Sequence, residues 1–213
     1  MDKTKKEISS NYDLQVDIGR RIFMEYDQEL LIQKFSLQAD ENWIYLTYMN
    51  TPCRINRSDG QIDELQENIW TECRNYSTVM TIYDLLCYHN GTTAPALFHQ
   101  WCTVGTFVVT GVTDTGTFTK KAVAAFDGHQ EELKAACIQL GGTMEPRLAG
   151  ADITCRIPVT TFFPVLLQFW NGDDEFPPKL QLMWDRNATS FLHFETTFYL
   201  QGDLVERLKN LMK

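Results

Sequence analysis

The sequence predicts an α+β fold: an antiparallel sheet with helices packed mainly on one face, in a single domain over residues 1–213. Three observations predict it. Helical periodicity fills about 8–38 and returns near 79–86 and 133–140. Apolar residues alternate with polar ones, or cluster as β-branched and aromatic runs, at 43–49, 153–157, 165–170 and 179–184. Short turns, with no helix between each pair, join the successive strands, which favours hairpins over the crossovers of a parallel sheet. No repeat, low-complexity run or Pro/Gly/Ser linker divides the chain.

Taken in order, Ile8, Tyr12 and Val16 recur at four-residue steps, with Phe23 on the same stripe, and Asp27 to Leu37 forms a second helical stretch around Leu31 and Phe35. Asp40-Glu41-Asn42 ends that pattern. Trp43 to Met49 reads as a strand, Asn50-Thr51-Pro52 as its turn, and Cys53 to Asn56 as the antiparallel return, closed by Ser58-Asp59-Gly60. Leu65, Ile69 and Cys73 share a helical spacing. Val79, Ile82, Tyr83 and Leu86 make a stronger helix that stops at His89-Asn90-Gly91, where Asn or Gly offers a left-handed cap. In the Thr- and Gly-rich stretch 92–118, Thr106 to Thr110 reads as a strand and Thr113 to Gly116 as a turn. A further helix presents Leu133, Ala136, Cys137 and Leu140 on one face and ends at Gly141-Gly142. The strands of residues 153–184 follow. Asp203-Leu204-Val205-Glu206 has the form of a capping box for a last short helix with Leu204, Leu208 and Leu211 inward.

Composition narrows the functions. The chain has 19 Lys+Arg against 28 Asp+Glu, a net charge of −9, so a polyanion meets a repulsive mean field and nucleic-acid partners are not expected. Lys3/Lys5/Lys6 and Lys120/Lys121 are small clusters that read as solvated surface. No run of about 18 apolar residues exists, so no membrane partner is expected. The lysines near the N-terminus precede no apolar core of the kind a secretory signal needs, and the six cysteines are widely scattered. Together they suggest a cytoplasmic protein with reduced thiols.

The most unusual segment is Trp170 to Pro178. It joins two apolar strands, and Asn171-Gly172 offers positive-φ residues for a tight turn. Asp173, Asp174 and Glu175 then stand in a row. Three adjacent carboxylates repel one another unless a cation, backbone donors or water compensates them. As a binding loop they suit a hard cation or an amine, and Asp185, at the far end of the next strand, offers a further oxygen. As a structural turn, the Asp side chains accept from local backbone N–H groups. Trp170 and Trp184 flank the loop and can meet across the strand pair if the hairpin is regular. Cys87 and His89, with His99 and Cys102, formally supply two Cys and two His, in an order unlike any zinc finger. Nucleophile-elbow, phosphate-loop, His-Glu-x-x-His and dinucleotide-binding patterns are absent.

From this hairpin outward the sequence resembles a bacterial and archaeal domain-of-unknown-function family, numbered 3786, found mainly in anaerobes. Trp170, Gly172-Asp173, Glu175-Phe176-Pro177 and Asp185 stand where that family has them. Leu140-Gly141-Gly142, Asp152, Pro158 and the turn at Gly60 also fit. Trp184 replaces the aromatic that precedes the Asp. His193-Phe194 replaces Pro-Thr ahead of Glu195, and 103–118 fits poorly. The resemblance implies no established activity, only an accessory or cofactor-related role in anaerobic metabolism. The sequence identifies no cofactor.

Three functions are therefore expected in turn. The first is a module that binds a small ligand or partner near the acidic hairpin through Trp170, Asp173, Asp174, Glu175, Asp185 and Glu195. The second is a divalent-metal-assisted enzyme in which those carboxylates converge on one ion and His193 acts as base. The third is a homodimeric interaction protein with no ligand.

Overall fold

The computed structural model describes residues 11–107 and 123–212. The fold is α+β, and its strands form two antiparallel sheets rather than one. The first is a meander of β1 (Gln38–Ala39), β2 (Trp43–Tyr48), β3 (Thr51–Asn56), β4 (Ile62–Gln66) and β5 (Ile69–Glu72), in that order. The second contains β6 (Trp101–Thr103), β7 (Thr143–Met144), β8 (Ile153–Thr160), β9 (Phe163–Trp170) and β10 (Lys179–Asp185), in the order β6-β10-β9-β8-β7. Among the described residues the α-helices are α1 (Asn11–Glu25), α2 (Gln28–Phe35), α3 (Tyr76–Cys87), α4 (Gln130–Gln139) and α5 (Thr196–Leu211). One continuous apolar cluster underlies both sheets, and Met49 N donates to Val159 O at 2.9 Å where the sheets meet.

The alternating patterns translate directly. Ile44, Leu46 and Tyr48 are buried on β2 while Trp43, Tyr45 and Thr47 face outward, half-buried. On that outer face the Arg54 guanidinium lies 3.7 Å from the ring centre of Trp43 and 4.6 Å from that of Trp70, paired to Asp63 at 2.9 Å. The β2–β3 turn falls on Met49 and Asn50, both at positive φ (45° and 62°), so Thr51 and Pro52 already belong to β3.

Four expectations are corrected. Leu65, Ile69 and Cys73 do not form a helix. Leu65 pairs with Trp70 in a β4–β5 hairpin whose turn residues, Glu67 and Asn68, take positive φ (49° and 64°). Ile, Trp and Thr in succession suit a pleated strand, and they outweigh the four-residue spacing. The end of α3 has no left-handed cap. Instead Lys34 of α2 donates through Nζ to the carbonyls of His89 (2.6 Å) and Gly91 (3.3 Å), a cation set where the helix dipole is negative. Asp203 is not a cap either. It lies inside α5, its side chain fully buried, and pairs with Arg207 one turn on at 3.1 Å. Thr78 of α3 donates to Asp203 at 2.7 Å, and Asn75 at 3.2 Å, so the pair fastens α5 to α3. Finally, Thr106 and Phe107, the described part of the strand expected over 106–110, belong to a 3₁₀ turn at Val104–Phe107. The rest of that segment, the turn at 113–116, Lys120/Lys121, Ile8 and the lysines at 3, 5 and 6 lie outside the described residues.

Helix α3 is the axis of the helical layer, with Ile82, Leu85 and Leu86 fully buried. Helix α1 can lie close against it because residue 19 is glycine: a Cβ there would sit 2.8 Å from Tyr83 Cδ2. Gly141 ends α4 at φ 80°, and Gly142 N reaches back to Cys137 O at 2.9 Å, the closing bond that a glycine after a helix permits.

Candidate functional site

The acidic hairpin is firmly built. Asn171 N donates to Asp152 Oδ2 at 2.9 Å, and Gly172 N to Asp127 Oδ1 at 2.9 Å. Neither Asn171 nor Gly172 takes positive φ; glycine is needed because a Cβ at 172 would lie 2.9 Å from Pro178 Cδ. Asp173 accepts from the backbone N–H groups of Glu175 (2.9 Å) and Phe176 (2.7 Å), which hold its carboxyl below the usual carboxylate range. Its charge is thus met within its own turn. Asp174 and Glu175 project into solvent beside the exposed Phe176. Trp170 pairs with Lys179, whose Nζ stands 4.9 Å from the indole centre.

The other residues named from the sequence are elsewhere. Trp184 pairs with Val165 and is fully buried, so it does not meet Trp170 across the hairpin. Asp185 lies six residues along β10 from Lys179, about 20 Å at the rise of an extended strand. It too is buried. Its carboxylate accepts from Phe98 N (3.0 Å), His99 N (2.7 Å) and Asn187 N (2.8 Å), folding the 96–99 segment onto the end of the second sheet. Among the described residues no three His, Cys, Asp or Glu side chains are grouped to hold a metal ion, so the carboxylates of 173–175 and 185 do not form one donor set, and Cys87, His89, His99 and Cys102 do not form another.

Of those six residues, Glu195 reaches a cavity formed by described residues. It lines a groove of about 570 Å³ between α1, α3 and the start of α5. Helix α3 places Asp84 one turn before Tyr88 on its outer side, with Met80 a turn earlier. The chain entering α5 brings His193, Glu195 and Thr196 opposite. The Asp84 carboxylate, 12% exposed, accepts from His193 N at 2.8 Å and from the Thr196 hydroxyl. His193 Nδ1 stands 2.6 Å from the other carboxylate oxygen. An ionised carboxylate only accepts, so Nδ1 carries the proton in this bond and Nε2 is the nitrogen left for a ligand. The imidazole is 61% exposed and rests edge-on against Tyr88, ring centres 4.2 Å apart.

The walls are tyrosine and aliphatic. Tyr76 and Tyr199 meet nearly at right angles (82°) with centres 5.3 Å apart, and Ile18 and Ile22 of α1 also line the groove. Burial and the contact with Tyr199 push the Tyr76 phenol up to about 12, so it stays neutral. Cys87 also lines the groove, but burial pushes its thiol up to about 12 and keeps it from being a nucleophile at neutral pH. Glu195 makes no side-chain bond to cap α5.

Sequence reasoning named His193 as a base only in company with the hairpin carboxylates, and it did not single out Asp84. The partners lie 109 residues apart. The signal available was a polar residue on the half-exposed flank of a strongly apolar helix, which Asp84 shares with many solvated residues.

A family model described as a domain of unknown function, DUF3786, matches residues 27–207. No curated protein and no solved structure matches the chain.

Proposed function

The chain belongs to the DUF3786 family of domains of unknown function, and from that premise we propose that it is a binding module for a small organic molecule, held in the groove between α1, α3 and α5. This reading keeps the ligand-binding role expected first from sequence and seats it in the groove rather than at the hairpin. The observation that carries the reading is the Asp84–His193 contact of 2.6 Å. It fixes the tautomer and the orientation of an exposed imidazole at the mouth of a cavity within the roughly 300–1,000 Å³ range of small-ligand sites. His193 then receives a hydrogen bond from the ligand at Nε2. The groove offers this acceptor together with a protonated thiol, which favours binding over acyl transfer. Six unpaired cysteines, five of them buried, support a reducing compartment, and we assign the protein to the cytoplasm. Among the described residues no helix is long and apolar enough to cross a membrane.

The test uses the seven methionines as reporters, of which Met80 lines the groove. With ¹³C-methyl methionine in the full chain, a small-fragment library is titrated and the methyl signals followed. Hits that shift Met80 above all others support the groove. Hits that instead move Met183 or Met144, on the second sheet, refute it.

A further inference from the structure

Resting on that reading of the groove, we propose that its ligand class is the organic cation: an alkylammonium or quaternary ammonium head on an apolar body, with an N–H or hydroxyl that donates to His193 Nε2. Charge is the first argument. Two carboxylates, Asp84 and Glu195, line the groove, and among the described residues no lysine or arginine does. With His193 neutral the lining carries −2; with His193 protonated it carries −1. The sign is negative in either state, within a chain whose net charge is −9. An anionic ligand meets repulsion from both.

Shape is the second argument, and it is independent of charge. In a T-shaped ring pair, each side of the stem is an inside corner bounded by two ring faces. Tyr76 and Tyr199, which both line the groove, form such a pair, and Tyr12 packs edge-on against Tyr76 with ring centres 4.8 Å apart. Ring faces carry the negative part of the aromatic quadrupole and attract a desolvated cation, most of all one whose charge is spread over methyl groups. Neutral phenols keep that quadrupole, and the Tyr76 phenol is held neutral.

The two carboxylates have different work. The Asp84 charge already has three donors in His193 N, His193 Nδ1 and Thr196 Oγ1. Glu195, which caps nothing, is the carboxylate left to meet an incoming charge.

Three probes of nearly one shape decide the matter: choline, its neutral carbon isostere 3,3-dimethylbutan-1-ol, and the anion 3,3-dimethylbutanoate. Each is titrated into the full chain, with the Met80 methyl shift and calorimetric heat as readouts. Choline is expected to bind at least about 10-fold more tightly than the alcohol, and the carboxylate more weakly than either. Glu195→Gln is expected to weaken choline several-fold while leaving the alcohol unchanged. Tyr199→Leu weakens choline too, and Tyr199→Phe, which keeps the ring, restores it; circular dichroism and melting confirm that both variants fold. If the alcohol or the carboxylate shifts Met80 at concentrations equal to or below those of choline, the cation class is overturned and the groove stands. If choline binds without moving Met80 or without sensing Glu195→Gln, the class is overturned as well. If none of the three probes moves Met80 and the fragment library does not either, the groove reading falls with it.

Discussion

Replacing Asp84 separates the two things its carboxylate does. It ties the start of α5 to α3, and it aims His193. Asp84→Ala removes the acceptor of three bonds, from His193 N (2.8 Å), His193 Nδ1 (2.6 Å) and Thr196 Oγ1. Hydrogen bonds to a charged group contribute about 1.5–3 kcal/mol each. Three bonds to one partly solvated carboxylate share that charge and do not add. A total loss of about 3–4 kcal/mol is therefore expected. For a chain of this size each kcal/mol moves the melting temperature by about 2–4 °C, so the midpoint falls by roughly 6–16 °C.

His193→Ala removes far less. The backbone N–H and the Thr196 hydroxyl still bind Asp84, and the lost ring is 61% exposed. The expected loss is about 1 kcal/mol, under about 4 °C. The roughly threefold ratio between the two variants is the quantity that matters. Urea unfolding followed by tryptophan fluorescence, with equal slopes for both variants, measures it. A His193→Ala loss as large as that of Asp84→Ala would make the imidazole a structural strut, and the case for a ligand-facing base would collapse. A loss under about 1 kcal/mol for Asp84→Ala would mean that these three bonds are not formed in solution.

Three further outcomes are expected. Asp203→Ala leaves Arg207 beside an empty buried position and costs about 3–5 kcal/mol, whereas the double change Asp203→Leu/Arg207→Met recovers most of it; paired thermal melts check both. Gly172→Ala drives a methyl to within 2.9 Å of Pro178 Cδ and costs about 1–3 kcal/mol, while Asp174→Asn/Glu175→Gln, on exposed side chains, changes stability by less than about 0.5 kcal/mol in the same melts. The protein loses stability on the alkaline side. Burial pushes Cys53, Cys73 and Cys87 up to about 12, while the unfolded thiols titrate near ~8.5. Their contribution is complete below the unfolded value and is lost as pH rises toward the folded one, because the unfolded state then binds fewer protons. Urea midpoints measured at pH 7.5, 8.5 and 9.5 should fall across the last interval, and the triple Cys→Ala variant should flatten that fall relative to its own neutral value.

What the sequence revealed and what it hid divide along physical lines. Strands β2, β8 and β10 were legible because one face of each is buried, and burial writes a period of two into the chain. Helix α3 was legible for the same reason at a period of 3.6. The β4–β5 hairpin was misread because Leu65, Ile69 and Cys73 satisfy a helical spacing by coincidence, and the informative residue was Asn68, able to take positive φ at the turn. The start of α5 was misplaced because its first N–H groups are met by the backbone carbonyls of 193–195, and the chain entering it is tied by Asp84 of α3 from 109 residues away, while Asp203 imitates a cap from inside the helix. The acidic hairpin stood out because runs of carboxylates are rare. The structure shows Asp173 spending its charge on its own backbone, a use that needs no distant residue and was legible as the local alternative. The groove needed three separate segments, α1, α3 and 193–199, so no local window contained it.

The same remoteness bears on how the groove would work. A surface imidazole normally samples several rotamers, and ordering such a side chain on binding costs about 0.5–1.5 kcal/mol. Here both the backbone N–H and Nδ1 of His193 are bound to one carboxylate on a helix whose inner face is fully buried. The ring is therefore ordered before any ligand arrives, and most of that cost is met by folding. The arrangement also links the groove to the body of the protein. Helix α5 is held to α3 at its start by Asp84 and in its middle by the buried Asp203–Thr78–Arg207 contacts, and Arg207 in turn lies 5.2 Å from the ring centre of Tyr48 on the first sheet. A ligand that pulls on His193 thus loads the α3–α5 junction, so binding and the thermal stability of that junction must rise together. Choline bound at 100 times its dissociation constant should raise folding stability by about 2.7 kcal/mol in the parent protein. The same concentration should raise it less in Glu195→Gln, whose affinity is weaker while its fold is intact. An equal rise in both proteins would mean that the added stability comes from somewhere other than the groove.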